Sequence, residues 1–151
     1  MSLVALRNYD AARDEEIAIA LWLETWQKTY PDIDFAERLD WWRKQWRDTL
    51  VPTTRIVVAE ALDQMVGFVT VDQRTGYVDQ LVVAPSFWGT GAGTKLIAEA
   101  KRLSPAGLNL DVNTDNARAI AFYTGKVGFI VTGDGFNAFS GRPVHHMSWR
   151  P

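Results

Sequence analysis

The sequence predicts an α/β fold of the α+β kind, a mixed and mostly antiparallel sheet of about seven strands with helices on both faces. Three observations predict it. Helical recurrence of apolar residues fills positions 9–50, three Val- and Ile-rich runs with short polar breaks follow over 54–84, and helical and strand-like segments then alternate to the C-terminus. The expected order is β-α-α-β-β-β-α-β-α-β-β.

LVALRN (3–8) reads as the first strand. A first helix carries Ile17, Ala20, Leu21, Trp22 and Trp26 on one stripe and ends at Tyr30, before Pro31. DIDFAERLDWWRKQWRDTL spaces Phe35, Leu39, Trp42 and Trp46 by three or four, with Asp34 as N-cap, and predicts a second helix. TRIVVAEA, QMVGFVTVD and GYVDQLVVA, broken by LDQ and QRTG, predict a three-stranded meander. A helix from about Thr94 to Leu103 follows, ended by SPAG, then a strand at LNLDV and a helix at NARAIAFYTGKV with Asn116 near its start. GFIVTG and PVHHMSW predict a closing pair of strands, and residues 1–151 are expected to form a single domain.

Composition narrows the function classes. With no cysteine, disulfides, thiolate metal sites and a cysteine nucleophile are excluded. The net charge is −2, with basic and acidic residues intermixed, so no footprint for nucleic acid exists. No apolar run is long enough for a membrane-spanning helix and no signal segment is evident, so a soluble cytoplasmic protein is the expectation. Trp22, Trp26, Trp41, Trp42 and Trp46 account for five of the seven tryptophans. Such a stripe at helical spacing is ordinarily core, but adjacent Trp41 and Trp42 diverge by about 100° and cannot both face it.

SFWGTGAGTKL (86–96) is the most informative stretch, placing Gly89, Gly91 and Gly93 at alternate positions between a strand and a helix. A cap or a turn needs one glycine. Three together suit a backbone left bare for an anion, with N–H groups and a helix N-terminus directed at it. The spacing fits neither the P-loop pattern nor the dinucleotide fingerprint.

VVAPSFWGTGAGTKLI resembles the acyl-CoA pyrophosphate segment of the GNAT acetyltransferase superfamily, with Gly91 and Gly93 at its small positions. Trp88 stands where that family usually has Gln or Arg. NARAIAFYTGKVGF resembles the family's later motif, with Asn116, Ala119, Tyr123, Gly128 and Phe129 in register, and the likeness in element order extends over essentially the full chain.

The resemblance implies transfer of an acetyl group from acetyl-CoA to a primary amine of a small molecule or peptide, in a ternary complex without a covalent enzyme intermediate and without a metal. It implies that the amides of Trp88, Gly89, Thr90, Gly91, Ala92, Gly93 and Thr94 hold the pyrophosphate, that the strand edge at Leu81, Val82 and Val83 pairs with the pantetheine arm, and that Asn116, Ala119 and Tyr123 complete the cofactor site. Leu81 N–H is the expected oxyanion donor and Tyr123 the expected acid for the departing thiolate.

For the base, Asp79 is the leading candidate, because simple alternation puts it on the same strand face as Leu81. Glu24, His145 and His146 are weaker ones, the two histidines pointing to opposite faces of their strand. Trp22, Trp26 and Tyr30, with Asp79, are expected to line the acceptor pocket, which with few fixed acids would favour an apolar or aromatic acceptor over a polycation. Two other readings stay open: an acyl-CoA-binding sensor of the same fold without turnover, and an unrelated phosphate-ligand module. A homodimer is left open as well.

Overall fold

The computed structural model describes residues 3–151. Strand β1 (Ala5–Asn8) leads into helix α1 (Ala11–Thr29). Asp10 caps α1 by accepting from Ala12 N–H at 3.2 Å, and the helix closes with Tyr30 N–H donating to Trp26 O at 2.9 Å, ahead of Pro31.

The second expected helix is a composite. Asp34 accepts from Ala36 N–H at 3.1 Å and starts a 3₁₀ turn (Phe35–Arg38), followed by α2 (Leu39–Gln45), a π turn (Trp46–Leu50) and the short α3 (Val51–Thr53). Tertiary packing explains the widening. In a regular α-helix each step of four residues rotates a side chain by about 40°, so Trp42, Trp46 and Leu50 would drift off a common face. The π turn keeps all three buried, and the fully buried Trp46 indole donates to Tyr9 Oη at 2.9 Å.

β2 (Arg55–Ala61), β3 (Gln64–Asp72) and β4 (Tyr77–Val83) form the expected antiparallel meander. The β2–β3 turn puts Leu62 and Asp63 at positive φ, the twist a two-residue hairpin needs. Helix α4 (Ala92–Leu103) begins two residues before the expected Thr94. Then come β5 (Leu108–Asn113), α5 (Ala117–Gly125), β6 (Ile130–Phe136) and β7 (Pro143–Trp149). The sheet order is β1-β2-β3-β4-β5-β7-β6, antiparallel except where β4 meets β5.

Two apolar layers sandwich this sheet. On one face α4 and α5 cover Val57, Val69, Val71, Leu108 and Leu110 through Leu96, Ile97, Ala100 and Tyr123. On the other, α1 and the composite helix cover Ile56, Val58, Phe68 and Val82 through Leu21, Trp22, Trp42 and Trp46. The tryptophan cluster is therefore mainly the core of the second face. Trp41, set about 100° from Trp42, stays 39% exposed.

Candidate active site

The site begins with a parting of the sheet. β4 and β5 pair only at Tyr77 and Asn109, and beyond that point the two parallel strands diverge. A bulge fixes what β4 offers to the gap. Thr70 pairs with Gln80 and Val71 with Val78, so Asp79 is an extra residue without a partner on β3.

Gln80 N–H donates to Thr70 Oγ1 at 3.0 Å and Ala84 N–H to Val66 O at 2.8 Å, both toward β3. By alternation Leu81 and Val83 turn their backbone groups the other way, into the gap left by β5. An extended chain laid there can pair with them as an added strand. The bulge also removes the simple alternation from which Asp79 was expected to share a face with Leu81. Leu81 and Val83 pack with the α4/α5 layer as Val78 does, whereas Gln80 faces α1 and accepts from Trp26 Nε1 at 3.3 Å, so simple alternation breaks at Asp79.

At the C-terminal end of β4 lies the glycine loop. Gly89 and Gly91 have φ of 78° and 91°, and nothing lies within 4 Å of where a Cβ would stand at either. Gly91 is the N-cap of α4, whose first intrahelical bond is Lys95 N–H to Gly91 O at 3.1 Å. The first-turn amides of Ala92, Gly93 and Thr94 precede that bond and have no intrahelical acceptor, the arrangement at a helix start that suits an anion. Gly93 serves packing instead: a Cβ there would meet Phe122 Cζ of α5 at 3.2 Å. Positive φ thus accounts for glycine at two of the three positions, and packing for the third.

Loop, gap and helices enclose one cleft of about 1060 Å³. Leu81, Val82, Val83, Trp88, Gly89, Thr90, Gly91, Gly93, Thr94, Asn116, Ala119 and Tyr123 line it, as do Trp22, Trp26, Tyr30 and Asp79. Ala92 is the exception among the expected site residues, its side chain fully buried in the core. Asn116 is the N-cap of α5, its Oδ1 accepting from Ala119 N–H at 3.2 Å. Of the weaker candidates, Glu24 is exposed outside the cleft, and neither histidine lines it. His145 pairs with Asp134, and His146 with Asp111.

Tyr123 is only 8% exposed, set edge-on to Phe122 and Phe129. Burial pushes its phenol well above the usual tyrosine range, and its hydroxyl has no hydrogen-bond partner among the described residues. It stays protonated at neutral pH. Asp79 opens to the cleft yet is ringed by protein. Desolvation raises its carboxyl above 3.8, offset in part by Gln80 Nε2 donating to Oδ2 at 3.3 Å. Burial and the hydroxyl's hydrogen bond to Asp115 push Tyr30 up to about 12.

The far end of the cleft is aromatic. Trp22 stacks on Trp42 at 4.7 Å and Trp26 on Tyr30 at 6.1 Å, while Trp41 meets Phe139 of the β6–β7 connection at 4.6 Å. Several lining residues were not singled out from the sequence. Tyr77 donates to Asp111 Oδ2 at 3.2 Å, and Asp111 and Asp79 are the two acids among the described lining residues, beside Arg38, Arg118, Lys126 and Arg142. Asp111 was legible only as the outward residue of an alternating strand. Arg118 occupies a variable position of the NARAIAFY stretch, and Phe139 a loop without periodicity.

The chain matches the Acetyltransferase (GNAT) family over residues 16–129. It is 34% identical over 129 residues to the peptidyl-lysine N-acetyltransferase YjaB of Salmonella typhimurium, covering 83% of this chain and 85% of the relative. The solution structure of apo YjaB from Escherichia coli superposes with a TM-score of 0.77 at 27% identity, covering 97% of each chain. The PaiA N-acetyltransferase of Thermoplasma acidophilum, solved with coenzyme A, shares the fold with a TM-score of 0.73 at 19% identity over the whole of both chains. With the parted sheet, the glycine loop and these matches agreeing, the chain belongs to the GNAT acetyltransferase family.

Proposed function

We propose that residues 1–151 act as one catalytic unit that transfers an acetyl group from acetyl-CoA to a primary amine, by direct attack in a ternary complex. The observation that carries this reading is the β4 edge that β5 leaves uncovered at Leu81 and at the Val83 N–H, Val83 O alone being taken by Trp88 Nε1, and this edge opens into the same cleft as Tyr123 and the glycine loop. The lining fits an extended, phosphorylated thioester. First-turn amides at Ala92, Gly93 and Thr94 suit the anion, and open space beside Gly89 and Gly91 admits it.

The co-substrate supplies an activated thioester carbonyl, and the chain does the rest. Leu81 N–H donates to the oxygen that becomes negative as the amine attacks. An ammonium cannot attack, so Asp79, directly or through a water, takes the amine's proton, a role its raised pKa favours. Tyr123 gives its phenolic proton to the departing sulfur and is restored by the second proton that the nitrogen loses as the amide forms. The aromatic far end packs an apolar stem, and Asp79 attracts the positive amine before it is deprotonated. A lysine side chain, four methylenes ending in an ammonium, fits that description, and the activity named for the Salmonella relative supports a peptide acceptor.

Thiol release from acetyl-CoA, followed across lysine peptides, polyamines, aminoglycosides and free amino acids, tests the proposal. Saturable turnover with at least one amine, strongly reduced in Tyr123→Phe, is expected. Tight coenzyme A binding without turnover for any amine would overturn it in favour of a sensor.

A further inference from the structure

Trp88 and Arg118 form a pair that neither the glycine loop nor the reaction accounts for. The Trp88 indole is fixed at one end, its Nε1 donating to Val83 O at 2.8 Å. On its face lies the Arg118 guanidinium, 3.6 Å from the ring centroid, a stacking distance. Arg118 comes from the first turn of α5, two residues after the Asn116 cap, and both Trp88 and Arg118 line the cleft. No carboxylate of the described residues balances it, and the one electrostatic neighbour with a resolved effect is the neutral Tyr123 phenol. An arginine oriented by a ring and left without a counter-ion is prepared for an anion from outside the chain. The unbonded amides at the start of α4 adjoin this loop and ask for the same kind of ligand.

We infer that Arg118, held in place by Trp88, is a cofactor-binding residue that grips the diphosphate of coenzyme A together with the amides of the glycine loop. This rests on the proposed acetyl-CoA reading and adds a second, charged arm to its anion site. A diphosphate has two anionic groups, one for the N–H cradle and one for a guanidinium fork. Trp88 is a positioning residue: by tying its indole to Val83 O it fixes the platform on which the guanidinium lies.

Calorimetry of the purified chain with coenzyme A, dephospho-coenzyme A and pantetheine tests the assignment. Arg118→Ala is expected to weaken coenzyme A and dephospho-coenzyme A alike, each by tenfold or more, and to leave pantetheine unchanged. Arg118→Lys keeps charge without the planar stack and should recover only part of the loss. Trp88→Leu should weaken coenzyme A with Arg118 present and add little in the Arg118→Ala background. The double variant Trp88→Arg with Arg118→Ala, which returns a guanidinium to the loop, should regain most of the affinity. Equal affinity of wild type and Arg118→Ala for coenzyme A, both correctly folded by circular dichroism, would overturn the assignment. A loss seen with coenzyme A but absent with dephospho-coenzyme A would overturn it too, moving Arg118 to the 3′-phosphate. Failure of the wild type to bind coenzyme A would refute the acetyl-CoA reading itself, a distinct result.

Discussion

The backbone N–H of Gln80 donates to the Thr70 hydroxyl at 3.0 Å, a side-chain bond in place of a ladder bond to a carbonyl. This bond anchors the bulge that leaves Asp79 unpaired and resets the alternation of β4. Thr70 is fully buried, so removing its hydroxyl leaves the Gln80 amide unsatisfied. Thr70→Val should cost about 1–3 kcal/mol of stability. It should also lower kcat more than it weakens coenzyme A, because the Leu81 donor shifts while the glycine loop does not. Denaturant melts and steady-state kinetics check both halves.

Asp79 yields a paired expectation. A carboxyl whose folded pKa lies above its unfolded value binds protons more tightly when folded, so it lowers stability as pH rises through that window. Asp79→Asn should therefore melt higher than wild type at neutral pH and lose that advantage in acid. As the proposed base, Asp79 should also give kcat/KM an acid limb with an apparent pKa above that of an ordinary aspartate, and the limb should vanish in Asp79→Asn. An unchanged pH profile in the variant would remove Asp79 from the mechanism.

Tyr123→Phe deletes a hydroxyl with no protein partner, so its stability should change little. Loss of a general acid should reduce kcat on the order of 100-fold. Because burial raises the phenol's pKa, wild-type activity should show no alkaline fall from Tyr123 below the ordinary tyrosine range. Coenzyme A affinity measured alongside should stay near wild type.

The buried Asp14 carboxylate receives Arg7 Nη1 and Nη2, each at 2.7 Å, and Asp10 N–H at 2.8 Å, tying the start of α1 to β1. Arg7→Met should cost about 3 kcal/mol, since it strands a buried charge. Chiefly through the Arg7 hydrogen bond, Asp14 is held below 3.8, so its contribution is complete above the usual carboxylate range and disappears as pH falls below it. Chemical denaturation at neutral and acid pH should show a stability gap between wild type and variant that narrows in acid.

Much of this molecule was legible in its sequence. The order of strands and helices followed from periodicity, and Asp10 apart, the expected punctuation at Tyr30, Asp34 and Asn116 matches the observed caps. The glycine loop and the Tyr123 helix marked two walls of the cleft. What stayed hidden was set by long-range pairing. The bulge at Asp79 depends on Thr70, ten residues from Gln80, and period-2 alternation cannot register an inserted residue. The π turn at Trp46 answers to the sheet beneath it, and Gly93 to Phe122 on another helix. Asp111 and Arg118 lie on elements that were read correctly, but only the folded sheet brings them to the cleft.

Amide chemical shifts recorded while coenzyme A is added to the labelled chain test the central claim most directly. The account expects saturable shifts concentrated at Leu81, Val83 and Gly89 through Thr94, with β1 and the start of α1 unmoved. No shifts at millimolar coenzyme A, or shifts centred away from the parted β4 edge, would contradict it.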